Sequence, residues 1–359
     1  MSPGAGNAAL GGRPPVSMIA WSSVEGRSSE IAVALGGDSR SFYDLAIVDR
    51  RLMPARYLLS AARTIRYLIS RRPRAVIATN PPVVPGLIAW AYGKLTGARV
   101  MLDSHPSSFD PNVHGALARQ LPLHRWLTRR VSGTIVTGPE LAQQVRDWGG
   151  RPIVFHEAPP TWTVPAPGPI GDPPRVLVLG GLAADEPLAE TLAAARELPG
   201  VAFRITGDPR RCPPGLVESA PENVQFTGYL RGQDYVQALA DTDIVLTLTK
   251  RGEAVSRATY EAVYALRPVV TSQSELNEGL FPYALRVTND VPSIAWGLRG
   301  AIARHGELAA AAPEARDLQQ RRVKQQLIDL GVLLGLDPHS SPSETEPTLS
   351  STASIGGLG

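Results

Sequence analysis

The chain has 359 residues, 43% of them hydrophobic and 19% charged, the composition of a globular protein long enough for two domains. Its single cysteine, Cys212, excludes an internal disulfide framework and fits a reducing compartment. The net charge of +3 is unevenly divided: residues 1–160 carry 19 Lys and Arg against 10 Asp and Glu, a balance of +9, and the remainder carries 17 against 23, or −6.

Residues 1–16 and 337–359 lack the apolar content to offset chain entropy and are expected to be disordered tails. Met1–Pro15 has no continuous apolar core, which argues against a secretory signal. No run of about 18 uninterrupted apolar residues is present, so a spanning helix is not expected; with the single cysteine, the expected location is the cytoplasm or the inner face of the cell membrane. Short apolar runs then alternate with helical patterns, the signature of parallel βα units. Strands are expected at Ser17–Ser22, Tyr43–Val48, Ala75–Thr79, Arg99–Leu102, Gly133–Thr137 and Pro152–Phe155. Helices are expected at Ala55–Ser70, Pro85–Leu95 and Glu140–Trp148. Residues 157–174 hold too many prolines for a helix or a central strand, and so form a linker between a first domain, 17–156, and a second, 175–336. In the second half the strands read Arg175–Leu179, Ala202–Thr206, Val224–Thr227, Ile244–Leu248 and Val269–Thr271. The fold class is α/β, with two doubly wound Rossmann-like domains facing each other across a cleft, a default place for a ligand.

Two carboxylates stand out. Glu253 lies in the loop after one apolar strand, and Glu261 lies about two turns along, inside the helix that follows. Ligands of open parallel sheets bind beyond the carboxyl ends of the strands, and a helical Cβ tilts toward the helix N-terminus, so both groups can reach one space. Two acceptor-only groups suit a ligand rich in hydroxyls.

The strings around this pair are Pro221–Gly228, Ala240–Leu246, Glu253 with seven residues before Glu261-Ala262, and Pro268–Val270. In order and spacing they resemble the nucleotide-sugar domain of retaining GT-B glycosyltransferases carrying an E-x7-E motif. In the first half Asp103-Ser-His105 and Leu123–Arg130 are similar in a looser way. The resemblance implies transfer of a sugar from a nucleoside diphosphate donor to an acceptor held by the first domain, with retention; the acceptor itself is open, and a lipid-linked or cell-envelope polysaccharide one is suggested by the basic first half. It implies Glu261 on the ribose, Glu253 on the donor sugar, and the base near Gly228, Tyr229 and Leu230. The backbone of Ala254, Val255 and Arg257 at the helix start would face the diphosphate, where unsatisfied N–H groups and the helix dipole favour anions. His105 would approach the donor sugar, Gly180 and Gly181 would form the turn after the first strand of the second domain, and the last helix would pack back on the first domain.

Relatives place an Arg and a Lys after that first strand, where this chain has Gly181 and Pro187. Charge for the leaving diphosphate is therefore expected from Lys250, Arg251 and Arg257, the last on the same helix face as Glu261. No cofactor is expected, and no metal, since the only His-Glu pair, His156-Glu157, lacks a second histidine at the zincin spacing. An epimerase of the same fold and a non-catalytic sugar-nucleotide-binding partner are the rival readings. In the basic half, Arg56, Arg63, Arg66, Arg71, Arg72 and Arg74 accompany a helix whose other face carries Leu58, Leu59, Ala62, Ile65, Leu68 and Ile69. The pattern fits a core-facing helix with a charged outer face, and it also fits a basic amphipathic helix resting on an anionic membrane. Aromatic residues are not interleaved with the basic ones, so nucleic acid is not an expected partner.

Overall fold

The computed structural model describes residues 13–22, 26–43, 53–109, 118–160, 162–252 and 255–336. The expected tails therefore lie almost wholly outside the described residues. The chain separates into two compact units, Met1–Thr134 with Gly149–Arg151 and Leu327–Gly359, and Ile135–Trp148 with Pro152–Gln326.

The first sheet comprises β1 (Val16–Ala20), β2 (Asp38–Ser41), β3 (Ala75–Asn80), β4 (Arg99–Ser104), β5 (Gly133–Val136) and β6 (Pro152–Val154), ordered β2-β1-β3-β4-β5-β6. Val16 stands opposite Ala75, and Ala75 opposite Arg99, in parallel register. β1 and β3 are buried along their whole length, as strands covered by helices on both faces must be. The helices are α1 (Gly26–Ala34), α2 (Met53–Arg71), α3 (Val84–Thr96), α4 (Leu121–Thr128) and α5 (Pro139–Asp147).

Two readings of this half are revised. β2 was not among the expected strands, while the strand expected at Tyr43–Val48 falls, beyond Tyr43, outside the described residues. β2 is a half-exposed polar edge strand, Asp-Ser-Arg-Ser, with no apolar run to reveal it. It is held by Asp38, which accepts hydrogen bonds from Ser17 Oγ (2.5 Å), Tyr67 Oη (2.7 Å) and the Arg71 guanidinium (2.9 Å). The second correction concerns α2, whose buried residues are Ser60, Thr64 and Leu68 rather than the apolar set as a whole. Hydroxyls can face the core because each has a partner: Ser60 donates to the Phe42 carbonyl (2.8 Å), and Thr64 donates to Ser60 O (2.7 Å) while accepting from Trp21 Nε1 (3.0 Å).

The end of β4 is fixed by a buried histidine that the sequence reading passed over. His124, on α4, has Nε2 3.1 Å from Ser104 Oγ and Nδ1 3.1 Å from the Ser108 carbonyl, with Phe109 edge-on against its ring. His105 N donates to Asn80 O (2.8 Å), and its carbonyl accepts from Ser108 Oγ (2.7 Å), so the backbone at 104–108 is pinned. Burial pushes the His124 imidazole down to about 4.

The second sheet comprises β7 (Arg175–Val178), β8 (Ala202–Thr206), β9 (Val224–Gly228), β10 (Ile244–Thr247), β11 (Val269–Ser272) and β12 (Leu285–Val287), ordered β12-β11-β10-β7-β8-β9. β12, three residues on an edge, was not among the expected strands. The helices are α6 (Leu188–Arg196), α7 (Gly232–Ala240), α8 (Arg257–Tyr264), α9 (Glu275–Leu280), α10 (Val291–Ala303) and α11 (His305–Leu334). Strand residues alternate between two cores: Val176, Ile244 and Leu246 pack with Ile294 and Leu298, whereas Leu177, Val245 and Val269 pack with Leu239, Tyr260 and Val263. At the far end of α11 the Leu333 carbonyl accepts from the Arg99 guanidinium (3.0 Å).

The proline-rich segment is attached rather than loose. Trp162 and Val164 pack on the core that holds Tyr260, and the Pro165 carbonyl accepts from Arg267 (3.0 Å). Arg267 is buried and also donates to the carbonyls of Leu239, Ala240 and Ala265 at 2.9–3.0 Å. It follows Leu266, which ends the α8 region at φ +60, a left-handed position usually given to glycine.

Arg267→Met removes the donor from four carbonyls, and is expected to lower stability by about 3 kcal/mol in chemical denaturation. A second expectation concerns pH. Below about pH 6.5 the unfolded chain protonates His124, whereas the folded chain resists this until about pH 4, so stability falls as pH drops through that window. The term amounts to ~3 kcal/mol, and His124→Gln should flatten the stability curve between pH 6.5 and 4 by that amount.

Candidate functional site

Thr249 lies two residues past the end of β10, and its backbone is tied to β11 and to the turn after β12. Thr249 N donates to Ser272 Oγ (2.9 Å), Asn289 Nδ2 donates to Thr249 O (2.8 Å), and Ser272 Oγ donates to Asn289 Oδ1 (2.8 Å). The loop that follows is thus launched from a fixed point at the carboxyl edge of the sheet. Glu253 and Ala254, in that loop, lie outside the described residues. α8 begins after Ser256, an extended residue whose hydroxyl accepts from Ala258 N and caps the helix. Val255 packs against the Tyr260 core, which sets the angle at which the chain enters the helix.

Glu261 is held on two sides. Arg257 Nε donates to its Oε1 (2.9 Å), and the Tyr235 hydroxyl, from α7, donates to its Oε2. Arg257 also reaches Glu157 Oε2 with Nη1 (3.3 Å), so one guanidinium serves two carboxylates, each 16% exposed. Burial and the adjacent carboxylate push the Tyr235 phenol well above its usual value, which keeps it a donor at any physiological pH. Trp162 lies edge-on to Tyr235, and His156 stacks on Tyr260 at 6.0 Å. Each carboxylate oxygen retains lone-pair capacity after these bonds, so Glu261 can still accept from ligand hydroxyls in a fixed orientation.

The other basic candidates are also paired. Lys250 Nζ lies 3.2 Å from Glu190, and Arg251 Nε lies 3.0 Å from Asp185. These pairs are about half exposed, unlike the Glu157–Arg257–Glu261 set. Across from them, the turn containing Gly180 and Gly181 is closed by its own acid: Glu186 accepts from Gly181 N (3.0 Å) and Leu182 N (2.9 Å). A Cβ at Gly180 would meet the Glu186 carboxylate, so a side chain there would displace that carboxylate from its bonds to Gly181 and Leu182. Gly228 takes φ +73 at the end of β9, Tyr229 is 63% exposed with Arg231 over its ring, and Leu230 packs on the Tyr260 core.

In the other unit, the carboxyl ends of β1, β2 and β3 surround a cavity of about 250 Å³ lined by Trp21, Phe42, Tyr43, Arg56, Tyr57 and the Pro81-Pro82 turn. Trp21 and Tyr57 meet edge to face at 5.3 Å, and Arg56 covers Tyr43. His105, half-buried, follows β4 in the same unit. Among the described residues, no group of three or more His, Cys, Asp or Glu is placed to hold a metal ion.

Of the residues expected from sequence, Arg257 and Glu261 are brought into contact, while Lys250 and Arg251 are turned to Glu190 and Asp185. Sequence reasoning missed Tyr235 and Glu157. A Tyr on the same helix stripe as the buried Ala238 and Leu239 needs a hydrogen-bond partner, and that was the available signal.

Two family models match the chain: a glycosyl transferase 4-like domain over residues 15–161 and a glycosyl transferase-like domain over residues 187–326. No curated protein matches. Among solved structures, the chain is similar to sucrose-phosphate synthase from Thermosynechococcus elongatus, with 15% identity and a TM-score of 0.68 over 89% of this chain and 98% of that one. It is also similar to HepE of Anabaena, crystallised with UDP and glucose, with 14% identity and a TM-score of 0.63 over 90% and 99% of the two chains. A Listeria monocytogenes protein assigned as a UDP-N-acetylglucosamine 2-epimerase shares 12% identity and a TM-score of 0.59 over 90% and 98%. With both halves matched to glycosyltransferase domains and two parallel six-stranded sheets in the corresponding architecture, the chain belongs to the GT-B glycosyltransferases.

Proposed function

We propose that the chain transfers a sugar from a nucleoside diphosphate sugar, bound by the second unit, to an acceptor bound by the first. The observation that carries this reading is the Glu261 carboxylate, fixed by Arg257 and Tyr235 yet still able to accept from two hydroxyls. A ribose presents such a pair of hydroxyls. HepE holds UDP and glucose in its crystal, so uridine is the first base to test.

The magnitudes separate the roles of the three cations. Freeing Arg257 would leave two partly buried carboxylates unneutralised, at a cost of several kcal/mol by order of magnitude. Arg257 is therefore a positioning residue for Glu261, a different role from the phosphate contact expected from sequence. Lys250 and Arg251 sit in exposed pairs worth roughly 0–1 kcal/mol, so exchanging Glu190 and Asp185 for a diphosphate costs little. Together with the N–H groups that open α8, they supply the positive field needed as the sugar–phosphate bond breaks. Glu253 on the donor sugar, His105 beside it and retention of configuration rest on the resemblance of the sequence motifs. Aromatic walls and a single guanidinium make the cavity of the first unit our choice for the acceptor, where a sugar ring can lie against Trp21 or Tyr57.

Isothermal titration with UDP tests the donor site. Glu261→Ala is expected to weaken binding at least about tenfold, because charge-assisted hydrogen bonds contribute roughly 1.5–3 kcal/mol each. Tyr235→Phe should weaken it by a smaller factor. Unchanged affinity in Glu261→Ala would sink the assignment. Incubation with UDP-glucose should release UDP slowly, and a new sugar epimer in place of free UDP would contradict transfer.

A further inference from the structure

The outward face of α2 is apolar. Leu58 is 73% exposed, Ile65 46% and Ile69 59%, and Ala62 is exposed between them. Steps of four, three and four residues put these positions in one stripe along about three turns of helix. Leu59, 38% exposed, widens the stripe on one side. Single exposed apolar residues are ordinary, but a continuous stripe marks a surface that is covered by something.

Charge selects what covers it. Arg66 is exposed beside the stripe, and Arg72 and Arg74, both exposed, follow the end of α2. Residues 51–102 contain nine Lys and Arg and no Asp or Glu. At the last turn of α2, Arg71 is paired with Asp38 of β2, which lies off the stripe. A second copy of this face would set arginine against arginine with no carboxylate on the helix to meet it. An apolar stripe with basic flanks instead matches an anionic lipid surface, which takes the side chains into its acyl boundary and the guanidinium groups among its headgroups. No described helix is long and apolar enough to cross a membrane, so the contact is one of lying on the surface.

We infer that α2 docks the protein on an anionic bilayer through Leu58, Ala62, Ile65 and Ile69, with Arg66 and Arg72 as its headgroup contacts. The inference is independent of the transferase reading. It agrees with the orientation of α2, in which Ser60 and Thr64 are buried while Leu58, Ala62, Ile65 and Ile69 are exposed.

Co-flotation of the full chain with vesicles tests it. The protein is expected to float with phosphatidylcholine vesicles containing phosphatidylglycerol at low salt, to be released at high salt, and to stay behind with phosphatidylcholine alone. Leu58→Ser/Ile65→Ser/Ile69→Ser should lower recovery at least about tenfold, and Arg66→Gln/Arg72→Gln roughly thirtyfold. All five positions are exposed, so thermal midpoints should match the wild type and UDP binding should be unchanged. Equal recovery with neutral and anionic vesicles, or wild-type recovery of both variants, would overturn the proposal. So would a dimer in solution that the triple serine variant dissolves without changing flotation.

Discussion

One guanidinium shared by two carboxylates organises the ligand end of the second unit. Glu157 comes from the segment after β6 and Glu261 from the second turn of α8, and both are mostly shielded from water. Arg257 sits between them and bonds to both. The Tyr235 hydroxyl completes the set from α7, so three separate segments are joined through Glu261. The trio of charged groups carries a net negative charge, and its uncommitted lone pairs are what a ligand donor would meet. Arg267, a few residues further on, performs the corresponding task for the backbone: it gathers four carbonyls and attaches the proline-rich segment to the ends of α7 and α8.

Electrostatics at the rim follow a different rule. Lys250 and Arg251 are paired with acids of the β7–α6 region, but these bonds are exposed and weak, so the cations can change partners. The turn at Gly180 and Gly181 cannot contribute as readily, because Thr206 Oγ1 takes the N–H of Gly180 and Glu186 takes those of Gly181 and Leu182. With Gly181 and Pro187 after β7, the chain carries Lys250 and Arg251 in the loop before α8 while its glycine turn is internally satisfied. Glu186 is where the sequence motif gave no hint of structure, since its role depends on a side chain folding back four and five residues.

Much of the architecture was legible because parallel strands covered on both faces must be nearly continuous apolar runs, as in Val76-Ile77-Ala78 and Val245-Leu246. Edge strands escape that rule, and β2 and β12 were both missed. α2 was misread for a related reason. Periodicity identifies an apolar stripe but not which way it points, and here Ser60 and Thr64 face inward because Phe42 and Trp21 offer them partners. The same reversal leaves Leu58, Ile65 and Ile69 facing outward. At the site, the motif spacing singled out Glu261, and the i, i+4 relation singled out Arg257. Glu157 and Tyr235 lie 104 and 26 residues away from Glu261 in sequence, and only the fold brings them in. Leu266 shows the converse: the left-handed turn survives at φ +60 although the glycine that would suit it is absent, because the surrounding core holds the chain there.

The central claim is that Glu261 receives the hydroxyls of a donor ribose. The most direct measurement compares UDP with its 2′-deoxy and 3′-deoxy analogues by isothermal titration, in the wild type and in Glu261→Ala. The account predicts that the wild type prefers UDP to at least one deoxy analogue by about tenfold or more, and that the preference disappears in the variant. Equal affinity of the wild type for all three nucleotides, or an undiminished preference in Glu261→Ala, would contradict it.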